Sequence, residues 1–268
     1  MGNMFALAIF TFRGVLQMPA YRVLLIVVPL LVLLSVVFSQ LFLLEISKVF
    51  IDFLWIFTSL LGVSYSLVIG AGILGQDLSG HLVYLFLPHM SRQRYLLGRM
   101  LGLFWALVLL LLMMMLTSLL ALWWVNERMP GVFLHAPVWW SPVALVGLAL
   151  IQSLTILVAV AFILSWASGL VEALLFSSAF TLLSYLLPSV FESMRSADVM
   201  ARMPAWLVDL LRVVDYLFPD MTGGRIALSL AHHLSLDWHA VGWFVVAQVG
   251  YSVMIFAFGL LLFVQRDL

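Results

Sequence analysis

Long apolar runs separated by short polar stretches dominate this chain. A helix that crosses a membrane needs about 20 mostly apolar residues to cover a hydrocarbon core about 30 Å thick. Inside that core each backbone group needs an internal hydrogen-bond partner, so apolar runs of this length form helices. The pattern therefore predicts an all-α membrane protein with a single transmembrane domain over residues 1–268. Six runs qualify as spans, namely residues 23–44, 53–74, 100–125, 143–166, 173–190 and 241–264.

Two further segments are predicted to be helical without crossing the membrane. Residues 1–21 are apolar with a few polar positions, which is typical of an amphipathic elbow helix in the membrane interface. Arg13 and Gln17 are one turn apart and are expected to point toward the headgroups. Residues 191–240 form the longest segment between spans and should contain a helical insertion before the last span. That helix would begin at Pro204 and end near Pro219.

Composition excludes most soluble functions. Hydrophobic residues make up 65% of the chain and charged residues 9%, against about 45–50% and about 25% in soluble domains. The formal net charge is zero, which leaves no basic excess for nucleic acid. Cysteine is absent, and this excludes disulfides, thiolate metal sites and cysteine nucleophiles.

Basic residues predict the orientation in the membrane. Counted over short loops and tails, six basic residues lie on the side of both termini and two on the other side. Basic residues in short loops concentrate in the cytoplasm, so both termini are expected there. The six are Arg13, Arg22, Arg92, Arg94, Arg99 and Arg266, and the two are Lys48 and Arg128.

The predicted spans contain no ionisable residue, and their most polar members are Gln152 and Gln248. Ion-driven carriers keep ionisable groups inside their spans for function, so a secondary carrier is disfavoured. The one lysine, Lys48, is followed by Val49, so the chain has no ATP-binding loop of the G-x-x-x-x-G-K-[ST] type. If the protein transports a substrate, the energy comes from another chain.

Two other motifs are interpreted as structural. Gly70, Gly72 and Gly75 match G-x-G-x-x-G, but they lie at the end of a span, where small residues allow close helix packing. Gly98 and Gly102 invite the same explanation.

A cluster of His232, His233, Asp237 and His239 could supply metal ligands, but its spacing fits no familiar ligand pattern. A polar cap beside the last span is the preferred interpretation, and no metal site is predicted. The same cluster is the only candidate for a lipid-modifying transferase, and it lacks a recognisable nucleophile.

The loop over residues 77–99 carries the most information. Asp77 or Ser79 could cap a helix start, a crowded apolar stretch follows, and Pro88 ends it. A cytoplasmic loop this apolar either lies in the membrane interface or docks into a partner.

From Pro88 the loop resembles the membrane subunit of type-2 ABC transporters, which are exporter permeases. Those proteins share the pattern P-x-S-R-x-x-Y-L-L-G-K-x-L-G, and residues 88–102 read PHMSRQRYLLGRMLG here. Arg99 stands where lysine is common, and one extra residue separates the proline from the serine. The ending Arg266-Asp267-Leu268 is similar to the common ending of the family.

The resemblance implies a permease that pairs with a second copy of itself and with two copies of a separate ABC ATPase. ATP and Mg²⁺ would bind to that partner, and this chain would carry no cofactor, no metal and no catalytic residue. It would export a lipid-like or amphipathic substrate by alternating access, in the bacterial inner membrane. The residues implied to couple it to the ATPase are Asp77, Ser79, His81, Leu82, Tyr84, Leu85, Phe86, Pro88, Ser91 and Arg92.

Two alternatives remain open at this stage. The chain could be a non-transporting membrane anchor that assembles a complex. It could also be a permease of the kind that serves maturation of the metal centre of nitrous oxide reductase.

Overall fold

The chain is an all-α protein, and the regular structure of its described residues is entirely helical. A computed structural model provides the coordinates. It describes residues 2–42, 46–79, 90–128, 139–194, 204–221, 223, 226, 229–230 and 237–265.

Within the described ranges, six helices are long and apolar enough to cross a membrane, which confirms the predicted spans. The helix of the second span contains a π-helical turn at Tyr65–Gly70 between two α-helical parts. In chain order the spans are Pro19–Gln40, Ile46–Ser64 continued to Ala71–Ser79, Arg92–Arg128, Ser141–Trp166, Leu170–Met194 and Trp238–Gln265.

Two shorter helices complete the fold. The N-terminal helix, Gly2–Gln17, is shorter than the predicted 1–21. It ends there because Met18 is extended, with ψ at 131°, and Pro19 opens the first span. Arg13 and Gln17 are both exposed, as predicted. The insertion helix, Ala205–Leu217, follows Pro204 and confirms the helix predicted before the last span.

The fourth span, Ser141–Trp166, is the centre of the bundle. In its most apolar window 67% of the residues are buried, against 17% for the sixth span. It packs against the second, third, fifth and sixth spans. The first, fifth and sixth spans expose large apolar side chains, as helices that face lipid do. We call the end of the bundle where the N-terminal helix lies the proximal end, and the opposite end the distal end.

Glycines set the contact between the second and fourth spans. A Cβ atom at Gly62 would lie 1.8 Å from the Ser153 hydroxyl oxygen, and one at Gly70 would lie 2.5 Å from Leu157. The packing interpretation of Gly70 is therefore confirmed, and Gly75 packs in the same way against Leu170 of the fifth span. It is wrong for Gly72, because nothing lies within 4 Å of a Cβ atom there.

Two buried tyrosines join the first three spans. The Tyr21 hydroxyl donates a hydrogen bond to the Ala106 carbonyl oxygen at 2.9 Å, and the Tyr65 hydroxyl donates one to the Leu103 carbonyl at 2.7 Å. Their rings meet edge to face, with centroids 6.1 Å apart. Because both hydroxyls reach the third span one turn apart, the three helices are fixed at one level.

Candidate functional site

A buried ion pair joins the two helices that flank the loop between the second and third spans. Arg99 Nη2 lies 2.6 Å from Asp77 Oδ1, and each side chain is 5% exposed. Asp77 belongs to the last turns of the second span, and Arg99 to the third turn of the next helix. The pair therefore closes the base of the loop.

The remaining donors of Arg99 reach two other helical positions. Nη1 donates to Thr11 Oγ1 at 3.1 Å, and Nε donates to the Tyr95 hydroxyl oxygen at 3.2 Å. The guanidinium group also lies 5.9 Å from the ring centroid of Phe10 and 5.6 Å from that of Tyr95, within the range of a cation–π contact. We call these five residues, Phe10, Thr11, Asp77, Tyr95 and Arg99, the charge hub.

Two glycines bring the N-terminal helix close enough to complete the hub. A Cβ atom at Gly98 would lie 3.0 Å from the Met4 carbonyl oxygen, and one at Gly102 would lie 2.6 Å from the Ala8 carbonyl oxygen. Any larger residue would push the helix away from the third span. The G-x-x-x-G pair therefore places Thr11 beside Arg99, and the packing predicted for it is confirmed.

The charge hub joins the N-terminal helix, the second span and the third span into one unit. Burying two charges costs about as much as their attraction returns, but removing one partner alone costs about 3–5 kcal/mol. Separating Asp77 from Arg99 is therefore expensive. Any force on the loop reaches the second span, the third span and the N-terminal helix together.

The structure corrects the role predicted for Asp77. The sequence suggested a cap for a new helix, but the helix of the second span continues through Asp77 to Ser79, and the carboxylate accepts a hydrogen bond from Arg99. The loop is also shorter than the predicted 77–99, because the helix of the third span already begins at Arg92. The helices extend beyond the predicted spans and include Asp77 and Arg99, which border the apolar runs.

Of the other predicted coupling residues, Ser79, Ser91 and Arg92 belong to the described part of the chain. The Ser91 carbonyl accepts the Tyr95 amide at 3.0 Å and so starts the third span. Arg92 Nη1 donates to the Val264 carbonyl at 3.0 Å, which ties the base of the loop to the sixth span. Ser79 is the last residue of its helix. The remaining predicted residues lie outside the described part of the chain, and they are His81, Leu82, Tyr84, Leu85, Phe86 and Pro88.

At the distal end, a non-helical segment enters the bundle from the insertion helix. Phe218, Pro219, Asp220 and Met221 form this distal segment together with Gly223. Gln152 Nε2 donates to the Met221 carbonyl at 2.7 Å, and Gln248 Nε2 donates to the Asp220 carbonyl at 2.5 Å. Two side-chain amides from different spans therefore bind the segment by its backbone.

Three helices place the distal segment at the same depth. Gln152 follows the distal end of its helix by eleven positions and Gln248 by ten. Ser184, whose carbonyl accepts the Met221 amide at 3.3 Å, precedes Met194 by ten positions. At about 1.5 Å per residue, these positions lie about 15–17 Å along the helices.

Irregular backbone at such a depth has to find partners within the protein. The residues of the segment suit this need, because Pro219 has no amide N–H to satisfy. Gly223 has φ at +47°, and a Cβ atom there would lie 2.9 Å from Gln152 Nε2. The Tyr251 hydroxyl donates to the Leu217 carbonyl at 2.8 Å and completes the attachment.

Below the distal segment lies a group of polar atoms that make no hydrogen bond to any described part of the chain, apart from a contact between the hydroxyls of Ser59 and Tyr185. They belong to the second, fourth and fifth spans. A buried polar atom left dry and unpaired costs about 1–3 kcal/mol, so the three atoms without such a contact would together cost about 3–9 kcal/mol, which is comparable with the whole stability of a domain. We call this group the polar seam, and its members are Ser59 Oγ, Gln152 Oε1, Ser177 Oγ, Ser184 Oγ and Tyr185 OH.

The acidic residue of the suspected metal cluster has a structural role. Asp237 Oδ1 accepts the backbone amides of His239 at 3.0 Å and Ala240 at 3.3 Å, which is the geometry of a helix N-cap. Among the described residues no three His, Asp or Glu side chains come together as metal ligands. His232 and His233 lie outside the described residues.

The charge hub could not be predicted from the sequence pattern. Asp77 and Arg99 each looked like a charge at the end of a span, and nothing in the periodicity says that a turn brings them together. Few charged residues border the apolar runs, and this rarity is the one feature of the sequence that sets Asp77 and Arg99 apart. For the distal segment the signal was Gln152 and Gln248, the lone amides of their spans.

No model of a known protein family matches the chain, and no curated protein matches it.

Proposed function

We propose that this chain is the membrane permease subunit of a type-2 ABC transporter. It pairs with a second copy of itself and with two copies of a separate ATPase subunit, which bind ATP and Mg²⁺. The observation that carries the proposal is the construction of the loop between the second and third spans, whose base is closed by the Arg99–Asp77 pair. The motif at residues 88–102 supports it.

A docking loop has to transmit force rather than yield to it. The charge hub supports this role because it fixes the loop base to the N-terminal helix, and Arg92 extends the attachment to the sixth span. When the ATPases close, a push on residues 78–88 moves these helices together. Such rigid-body movement of packed elements is a common basis of alternating access.

The direction and the cargo follow from the same proposal. The proximal end faces the cytoplasm of a bacterial cell, with both termini on that side of the inner membrane, in agreement with its arginines. The substrate is lipid-like or amphipathic and leaves at the distal end. There the distal segment, held by Gln152 and Gln248, closes the exit.

Affinity purification of the tagged chain in mild detergent, with mass spectrometry of its partners, tests the proposal. We expect an ATPase that carries the G-x-x-x-x-G-K-[ST] loop, in a one-to-one ratio with the permease. A folded chain that purifies without any such ATPase would contradict the proposal and favour a membrane anchor.

A further inference from the structure

We infer that the polar seam between the second, fourth and fifth spans holds water and forms a polar route through the middle of the bundle, with Met221 as its distal closure. The inference goes beyond the proposed function, because hydration of the seam does not depend on an ATPase.

The first observation is a contrast among buried hydroxyl groups. Most hydroxyls in these helices bond to a carbonyl of the preceding turn, as Ser118 does with Met114 at 2.6 Å and Thr181 with Ser177 at 2.8 Å. Ser177 and Ser184 are as deeply buried, at 1% and 0% exposure. Yet within the described chain neither hydroxyl oxygen has a partner.

The second observation is that the unpaired atoms converge from three helices. Gln152 and Ser184 both bind the backbone of Met221, so they lie on either side of one residue. Tyr185 follows Ser184 and lies near the hydroxyl of Ser59, although neither oxygen forms a well-aligned hydrogen bond among the described residues. Ser177 lies two turns further toward the proximal end of the same helix.

Water is the occupant that fits these groups. The five atoms are hydroxyl and amide oxygens, which bind water readily and would gain nothing from a lipid chain. None of the five carries a charge, so no group here would hold an ion by charge. Buried water commonly serves polar groups that the protein leaves unpaired.

The closure follows from the position of Met221. Its side chain is fully buried, and its backbone bonds to the fourth and fifth spans at the distal end of the seam. We therefore assign the flexible thioether side chain of Met221 as the closure on that side. Under the proposed function, the seam would receive the polar part of an amphipathic cargo, and movement of Met221 would open it.

The native chain contains no cysteine, so single cysteines can be placed and labelled without background. The probe is a small, charged, membrane-impermeant thiosulfonate, which reacts only with a thiolate in contact with water. The variants are S184C and S177C, and the matched control is S118C. Ser118 and Ser184 are both fully buried and each lies ten positions before the distal end of its helix.

We expect S184C and S177C to react at least about tenfold faster than S118C in the folded protein. All three should label fully after denaturation, which confirms that each thiol is present. Equal, slow labelling of S184C and S118C in the folded protein, both with Met221 in place and with Met221→Ala, would overturn the hydrated seam. The purified permease alone is labelled, so an absent ATPase cannot produce this result.

A second variant tests the closure. Adding Met221→Ala to S184C removes the side chain but leaves the backbone bonds of residue 221 in place. We expect labelling of S184C to accelerate several-fold, while labelling of S118C with the same substitution stays unchanged. An unchanged rate for S184C would overturn the assignment of Met221 as the closure.

Discussion

Arg99 and Asp77 form a buried ion pair at 2.6 Å across the loop that joins the second and third spans. The helix that carries Asp77 ends at Ser79, and the helix that carries Arg99 begins at Arg92. The ends of the loop are therefore joined by charge, and Thr11 of the N-terminal helix joins the same arginine. The arrangement makes the loop base rigid.

Removing one member of the pair should be far worse than removing both. Arg99→Met leaves the carboxylate of Asp77 buried and unpaired, and we expect the free energy of unfolding to fall by about 3–5 kcal/mol. The double variant Asp77→Leu with Arg99→Met leaves no buried charge and should recover most of this loss. Unfolding in mixed detergent micelles measures both values.

Arg94→Met is the control for this series, because Arg94 lies on the same helix but is exposed. Its effect should stay within about 0.5 kcal/mol. If the losses of unfolding free energy caused by Arg99→Met alone and by Asp77→Leu alone simply add in the double variant, the two side chains are not coupled.

Gly102→Ala should destabilise the protein, although alanine favours helices. Its Cβ would lie 2.6 Å from the Ala8 carbonyl oxygen, so the N-terminal helix has to move, at a cost of about 1–3 kcal/mol. Gly147→Ala is the control, since nothing lies within 4 Å of a Cβ atom there. It should be neutral or stabilising by up to about 1 kcal/mol. Melting temperatures that fall equally for both would contradict close packing at Gly102.

Gln152→Leu and Gln248→Leu should each release the distal segment. Each removes the donor to a carbonyl, either the buried carbonyl of Met221 or the partly buried carbonyl of Asp220, which costs about 1–3 kcal/mol locally. Hydrogen exchange over residues 217–221 should accelerate by about tenfold or more, while the spans stay protected. Gln17→Leu, an exposed site on the N-terminal helix, should change nothing in this segment. Unchanged exchange in both variants would mean that the two amides do not hold it.

The histidines are predicted not to bind metal. Elemental analysis of the purified protein should find no stoichiometric copper or zinc, and the variant His232→Ala with His233→Ala should have the same metal content. A tightly bound ion that is lost in the variant would contradict this prediction.

Periodicity and run length predicted the spans because a membrane imposes one requirement on every stretch of about 20 residues. They also predicted the glycine contacts at Gly70 and Gly102, since small residues permit close packing wherever helices meet. Pairings between distant residues could not be predicted in this way. Arg99 reaches Asp77, and Gln152 reaches Met221, only because separate helices converge.

The distal segment shows most clearly which contacts the sequence pattern could not predict. Phe218 to Met221 looks like a turn after a surface helix, yet Pro219 and Met221 are buried in the bundle. Its depth is set by partners on the fourth, fifth and sixth spans, each of which offers one polar group at one level. The sequence identifies Gln152 and Gln248 as the most polar residues of their predicted spans, but it does not show that both bind one segment.

The most direct test of the account measures how much ATPase purifies with the permease when its loop is altered. The wild-type chain should retain the ATPase at one copy per permease, and the variant Tyr84→Asp with Phe86→Asp should lose it while still inserting into the membrane. Trp206→Asp, an exposed aromatic residue of the insertion helix, should retain it. A loop variant that keeps its full complement of ATPase, or a wild-type chain that never carries one, would contradict the account.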